Sequence, residues 1–204
     1  MFHKAAWLAG AIVLVGLAAA LRPEATAAKP IAAALLASPR SQIIGNPHGD
    51  VTIVEFFDYA CPFCKAVEPR LEGLVKSDDN VKLLPKEFPI LSPQSIIASK
   101  VAIAAAAQGK YTQFHQAMLS YRGPLDEAAI FGVAKDVGLN LAQLRRDMAK
   151  PEVTKEISAN LTLAQAIHVQ GTPTLFVNGV LLTQPSAEID FPAVVAAARQ
   201  KNGR

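Results

Sequence analysis

Cys61 and Cys64 are the only cysteines in the 204-residue chain, and only Pro62 and Phe63 separate them. A bridge between them would close a loop too small to constrain the unfolded chain much, because the entropy a disulfide removes grows with its loop. Redox chemistry is therefore a better account of the pair than stability. Only Asp58, Tyr59 and Ala60 lie between Cys61 and the strand-like run Val51-Thr52-Ile53-Val54-Glu55-Phe56-Phe57. Pro62 then stands where a first helical residue is preferred. Cys61 thus falls at a helix N-terminus, where unpaired N–H groups and aligned peptide dipoles favour an anion. Thiols of Cys-x-x-Cys motifs in such places have pKa values lowered to about 3.5–7.5 from about 8.5. The expected roles are Cys61 as nucleophile, forming mixed disulfides, and Cys64, one turn inward, as resolving thiol.

Glu55 is the one charge in the apolar run, six residues before Cys61. Burial would raise its pKa and make it a proton acceptor and donor for Cys64. The alternative is a side chain leaning out at the sheet edge, merely solvated. Pro173, in Gly171-Thr172-Pro173-Thr174, suits a strand-edge or turn position, where cis geometry is open to it. By its neighbours alone it reads as an ordinary loop proline. Phe63 cannot donate a hydrogen bond to a Cys61 thiolate but offers substrate an apolar contact. His48, His115 and His168 read as surface or helix-packing residues, and Phe57 and Tyr59 as core or rim packing. A closed zinc site needs about four ligands, and these histidines sit at no metal-ligand spacing, so no metal site is expected. Two thiolates alone could hold Cu(I), which makes a periplasmic copper carrier the reading from a different functional class. Thiol exchange needs no cofactor, because electrons travel through the cysteines.

The elements that must position these residues can be read along the chain. With 51% hydrophobic and 18% charged residues the composition is globular. A formal charge of +3, without a basic stripe, gives no case for nucleic-acid binding. Residues 1–28 read as a secretory signal: a basic start at Lys4, an apolar run from Ala5 to Leu21, then small residues near Ala27 and Ala28. An uncleaved anchor is the alternative, since the run is long for a signal core. Within the N-terminal extension, 29–45, Ile31 to Ala37 is a short helix-like stretch. Val51 to Phe57 is a central strand, Cys64 to Lys76 a helix with Val67, Leu71, Leu74 and Val75 inward, and Val81 to Phe88 a second strand. Five helical segments follow: Ser95 to Gln108, Tyr111 to Ser120, Asp126 to Val137, Leu141 to Ala149, and Pro151 to Ile167. Asn178-Gly179 then marks a hairpin between Thr174–Val177 and Val180–Leu182, and Phe191 to Gln200 is a last helix. The expected organisation is a first half over 46–92, a helical insertion over 93–168 and a second half over 169–204.

Three stretches together resemble the DsbA-like branch of the thioredoxin superfamily: Gly45-Asn46-Pro47 through Phe56-Phe57-Asp58-Tyr59-Ala60-Cys61-Pro62-Phe63-Cys64-Lys65, Lys86-Glu87-Phe88-Pro89, and Gly171-Thr172-Pro173-Thr174-Leu175-Phe176-Val177-Asn178-Gly179. The resemblance implies an α/β thioredoxin fold, with a helical domain inserted between a strand–helix–strand half and a hairpin–helix half. It implies catalytic cysteines at Cys61 and Cys64, Glu55 as the buried acid, and Pro173 as a cis-proline facing them. Thr172 would offer backbone hydrogen bonds to a substrate strand, with Pro62 and Phe63 beside it. The family's best-known oxidant has histidine at the position of Phe63 and valine at that of Thr172; threonine there is common in disulfide isomerases. The expected function is thiol–disulfide exchange on exported cysteine-containing proteins in the periplasm, with a membrane redox partner. Net oxidation is expected over isomerisation or reduction, and the oligomeric state stays open.

Overall fold

The computed structural model describes residues 33–36, 42–201 and 203; the expected signal, 1–28, and part of the 29–45 extension lie outside the described residues. Strands β1 (Ile44–Gly45), β2 (Val51–Phe57), β3 (Val81–Glu87), β4 (Thr174–Val177) and β5 (Val180–Leu181) form one mixed sheet in the order β1-β3-β2-β4-β5. The central strand β2 runs parallel to β3 and antiparallel to β4. A strand covered on both faces reads as a continuous apolar run, and every β2 residue except Thr52 is buried. Successive side chains point to opposite faces. Val51, Ile53 and Phe57 therefore join the larger core, while Val54 and Phe56 join a smaller one with Leu84, Phe88, Phe176 and Leu35. Leu35 belongs to a helical turn at 33–36, the described part of the expected stretch from Ile31 to Ala37. By the same alternation Glu55 faces the larger core. Its partner on β3 is Pro85, past the end of β1, where a missing N–H costs no ladder bond.

Helix α1 (Pro62–Ser77) crosses that larger-core face, burying Cys64, Val67, Glu68, Leu71 and Leu74 at helical spacing, with Val75 only partly covered. Pro69 inside α1 can give no hydrogen bond to the Lys65 carbonyl, which instead accepts one from Arg122 at 3.4 Å. Between β3 and β4 come α2 (Pro93–Ala105), α3 (Tyr111–Ser120), α4 (Glu127–Asp136), α5 (Leu141–Met148) and α6 (Pro151–Ala166). Ser92, Asp126 and Asn140 cap α2, α4 and α5 by accepting from the backbone N–H three residues on. Helix α2 starts two residues before the expected Ser95, because Ser92 supplies the cap and Pro93 fills the first helical position. The hairpin turns at Asn178 and Gly179, both with positive φ, as a two-residue turn of this kind requires. Helix α7 (Phe191–Lys201) returns over the sheet, and Arg199 ties it to Asp50 and Asp78 at 2.9–3.2 Å. The arrangement is the α/β thioredoxin fold with its helices inserted between the two halves.

Candidate active site

The chain leaves β2, makes a short turn and enters α1 with Cys61 as the N-cap, at φ −73° and ψ 118°. The Cys61 sulfur accepts from the Cys64 backbone N–H at 3.4 Å. Its thiol donates to the Thr172 carbonyl at 3.2 Å. The Thr172–Pro173 peptide is cis, so the loop entering β4 faces the cysteine motif with the geometry that the resemblance implied for Pro173. Cys61 and Cys64 are both free thiols, with 2% and 0% of their surface exposed.

Their environments push the two thiols apart. A hydrogen bond from the Cys64 thiol, helped by the Thr172 side chain and the N–H groups of Cys64 and Phe63, outweighs burial and lowers Cys61 to about 6. The bond to the Thr172 carbonyl serves only the protonated form, and is given up when the thiolate forms. Burial raises Cys64 far above its ordinary value; the hydrogen bond it gives Cys61 and the nearby Glu55 add to this. At neutral pH one sulfur is therefore a thiolate and its neighbour a thiol, the division of labour that exchange through a mixed disulfide requires.

Glu55 does not lean out to solvent. It is 0% exposed, and neither carboxyl oxygen has a hydrogen-bond partner among the described residues. Burial, then Glu68, then Cys61 raise its pKa well above the ordinary carboxylate range. Pro62 and Phe63 are exposed at the start of α1, and Thr172 and Pro173 are half-buried opposite them. The structure thus gathers Cys61, Cys64, Pro62, Phe63, Thr172 and Pro173 at one end of the sheet, with Glu55 behind them.

Several buried polar residues here were not singled out from the sequence. Asp58 accepts four hydrogen bonds: Ala60 N–H at 2.7 Å, Ser95 Oγ at 2.6 Å, and the N–H groups of Ile90 and Leu91 at 2.8 and 2.9 Å. Its own carbonyl accepts the Cys61 N–H at 3.0 Å. One carboxylate therefore holds the turn carrying Cys61 against the Ile90–Leu91 loop and the start of α2. His48 and His168 are at the surface as expected, but His115 is fully buried in a polar cluster with Glu68, Tyr59, Glu87 and Tyr111. Tyr59 belongs to the same cluster, so it does more than pack. Two signals pointed there: Glu68 lies four residues after Cys64, on the same helix face, and His115 lies four after Tyr111 on the inward face of α3.

Comparison with known proteins adds to this geometry. The model of the DSBA-like thioredoxin domain matches residues 52–193. The fold is similar to that of a thioredoxin-like oxidoreductase from Silicibacter pomeroyi DSS-3, with 40% identity and a TM-score of 0.76 over 82% of this chain and 97% of that one. It is also similar to a periplasmic thioredoxin-like protein from Salmonella enterica serovar Typhimurium, at 26% identity, TM-score 0.73, and 86% and 97% coverage. A curated relative, the Na(+)/H(+) antiporter NhaA 1 of Salinispora arenicola, is 31% identical over 142 residues, which are 69% of this chain but 22% of that protein. The chain spans only about a fifth to a quarter of the length of the curated relatives it matches.

Proposed function

The chain belongs to the DSBA-like thioredoxin-domain family, and we propose that it is a thiol–disulfide oxidoreductase that forms and exchanges disulfides in exported proteins of the periplasm, with net oxidation as its direction. The observation that carries this reading is the placement of Cys61, at the start of α1 and within hydrogen-bond reach of the Thr172 carbonyl, with Cys64 buried beneath it. In the oxidising direction a substrate thiolate attacks the sulfur of Cys61 in the Cys61–Cys64 disulfide. Cys64 leaves with the two electrons of the broken bond and takes a proton from Glu55, which burial keeps protonated. A second substrate thiolate then attacks the substrate sulfur of the mixed disulfide and expels Cys61. A leaving thiol of low pKa departs faster, and its stabilised thiolate favours the reduced enzyme, so the lowered Cys61 supports net oxidation. A membrane redox partner returns the enzyme to the disulfide form.

Substrate is held on the rim of the same site. An extended segment would pair with the backbone at Thr172 and lie against Pro62 and Phe63, the latter 63% exposed. The Ile90–Leu91 loop, which Asp58 fastens beside the motif, extends that apolar rim, with 42% and 52% exposure. The basic and apolar start of the sequence supports export, as does likeness to a periplasmic protein. Among the described residues no helix is long and apolar enough to cross a membrane. Isomerisation or reduction is the second reading, favoured by Phe63, whose exposed ring gives the Cys61 thiolate no hydrogen bond. Equilibration with glutathione separates the two. A potential near about −120 mV supports disulfide donation, and one of about −200 mV or lower gives the direction to isomerisation or reduction.

A further inference from the structure

Directly after Cys64 the motif meets two cations. Lys65 lies one helical turn from Cys61, its N–H donating to the Cys61 carbonyl at 3.1 Å. Residues four apart share a helix face, so Lys65 follows Cys61 along the same side of α1. Its ammonium donates to the Tyr121 carbonyl at 2.7 Å and lies 5.9 Å from the centre of the Tyr121 ring. Arg122 answers from the next residue of that loop. Its Nη2 donates to the Lys65 carbonyl at 3.4 Å and its Nη1 to the Leu119 carbonyl at 2.6 Å. The Tyr121 side chain fills the space over Gly123 that a Cβ would take, so the loop folds back on its own tyrosine. The segment joining α3 to α4 is thus fastened to the start of α1, with Lys65 half-buried and Arg122 exposed.

Capping explains part of this arrangement. The last carbonyls of a helix carry partial negative charge, and Lys65 and Arg122 serve the end of α3 in that way. One cation would suffice for that. The three bonds to carbonyls also use fewer than half of the N–H donors that an ammonium and a guanidinium offer. Neither side chain forms a salt bridge among the described residues. Burial, and then the like charge of Arg122, lower the pKa of Lys65. The carboxylates of the neighbouring elements are turned elsewhere: Glu68 faces His115 in the core, Glu72 pairs with Lys76, and Asp126 caps α4. Two cations therefore stand together beside the nucleophile, with donors to spare and no acid to relieve their repulsion.

We propose that Lys65 and Arg122 form a docking surface for acidic residues beside the substrate cysteine, so that the preferred substrates carry Asp or Glu next to the sulfur that Cys61 engages. The proposal rests on the reading that substrate meets Cys61. A segment laid against the Thr172 backbone and Phe63 brings its flanking residues over the start of α1. A carboxylate there accepts N–H groups from both cations and offsets their mutual repulsion. Charge complementarity of this kind acts on encounter and register more than on the exchange of sulfurs. It belongs in the second-order rate at which the mixed disulfide forms.

The test uses the reduced protein and short peptides whose cysteine carries a coloured aromatic thiol as a mixed disulfide. The Cys61 thiolate attacks the peptide sulfur, the peptide becomes bound to Cys61, and the aromatic thiolate leaves with the electron pair of the broken bond and is read by its absorbance. One peptide has a glutamate on each side of its cysteine, and a second has serines there. Each rate is divided by the rate with dithiothreitol, which removes the peptides' own reactivity. An exposed ion pair gives about threefold, so two predict a preference for the glutamate peptide of about tenfold at low salt. In about 1 M salt, where the screening length is about 3 Å, it should shrink to less than about twofold. Lys65→Gln and Arg122→Gln each keep a donor for the loop carbonyls and lose the charge, and each should reduce the preference to about threefold. Arg122→Glu should abolish it. If one glutamine variant fails to fold, the other carries the test. Equal rates for the two peptides on the wild type overturn the docking surface. So does a preference kept in the folded variants, even where both rates fall together, which is the result of capping alone. A wild type that releases no aromatic thiol, or an undiminished release by Cys61→Ala, overturns the underlying reading instead.

Discussion

Replacing Cys64 by alanine removes the thiol hydrogen bond that does most to hold Cys61 at about 6. A hydrogen bond to an ionised group contributes about 1.5–3 kcal/mol. At about 1.4 kcal/mol per unit, that is roughly one to two pKa units. The lower end is the better figure here, because the backbone N–H of Cys64, 3.4 Å from the sulfur, survives the substitution and can draw closer. The expected midpoint for Cys61 in Cys64→Ala is therefore about 7. The thiolate fraction at about pH 6 falls from roughly half to roughly a tenth, while above about pH 9 both proteins are fully ionised. A more basic thiolate is also the stronger nucleophile, so the high-pH plateau should rise about threefold for one unit, given a Brønsted slope of about 0.4–0.5. The midpoint, rather than the rate at one pH, is thus the quantity to read. It comes from pseudo-first-order alkylation by iodoacetamide across the pH range, with adducts resolved by mass. Cys64 in the wild type should stay unmodified, buried and protonated as it is. A Cys64→Ala midpoint within about 0.3 unit of wild type would refute the reasoning and leave the lowering to the Thr172 side chain and the helix N-terminus.

Three further outcomes follow from the buried carboxyls. Burial raises Glu87 to about 8 from an ordinary 4.5, so the folded chain holds a proton that the unfolded chain loses between those values. Its contribution is greatest below about 4.5 and is lost as pH rises through about 8, at up to about 1.4 kcal/mol per unit. Glu87→Gln, which mimics the protonated form, should give a shallower fall in urea-unfolding stability over that window; an unchanged slope would count against it. Asp58→Asn leaves one carbonyl oxygen where two oxygens accept four hydrogen bonds, stranding at least one backbone N–H. The expected loss is about 1–3 kcal/mol in the urea midpoint of the reduced protein, and a midpoint equal to wild type would contradict the bonding scheme. Glu55→Gln should slow resolution of the mixed disulfide at neutral pH by about a hundredfold, the lower end of the usual range for general acid–base groups, while equal rates across pH would remove Glu55 from the mechanism.

Local signals made much of the framework legible. Pro62 at the first helical position and Asn178-Gly179 at a hairpin each specify a conformation through their own backbone chemistry, and each is found where expected. Ser92-Pro93 carries a signal of the same kind for the start of α2, a capping hydroxyl followed by proline at the first helical position. What stayed hidden depends on contacts between distant segments. Asp58 binds residues 32 to 37 positions onward, and Tyr59 meets His115 across 56. No spacing rule on one strand or helix shows that three separate elements bury their polar groups together. Glu55 is visible as a lone charge in an apolar run, but only the packing around it shows that its carboxyl has no hydrogen-bond partner among the described residues.

The central claim is that substrate meets Cys61 and that Cys64 acts on the adduct. It is tested most directly by incubating Cys64→Ala and Cys61→Ala proteins with an oxidised cysteine peptide and weighing the products intact. Cys64→Ala should accumulate one stable mixed disulfide at Cys61, the Cys61→Ala protein should remain unmodified, and the wild type should pass through the adduct to its internal disulfide. A persistent adduct on Cys64, or none on Cys61, would contradict the account.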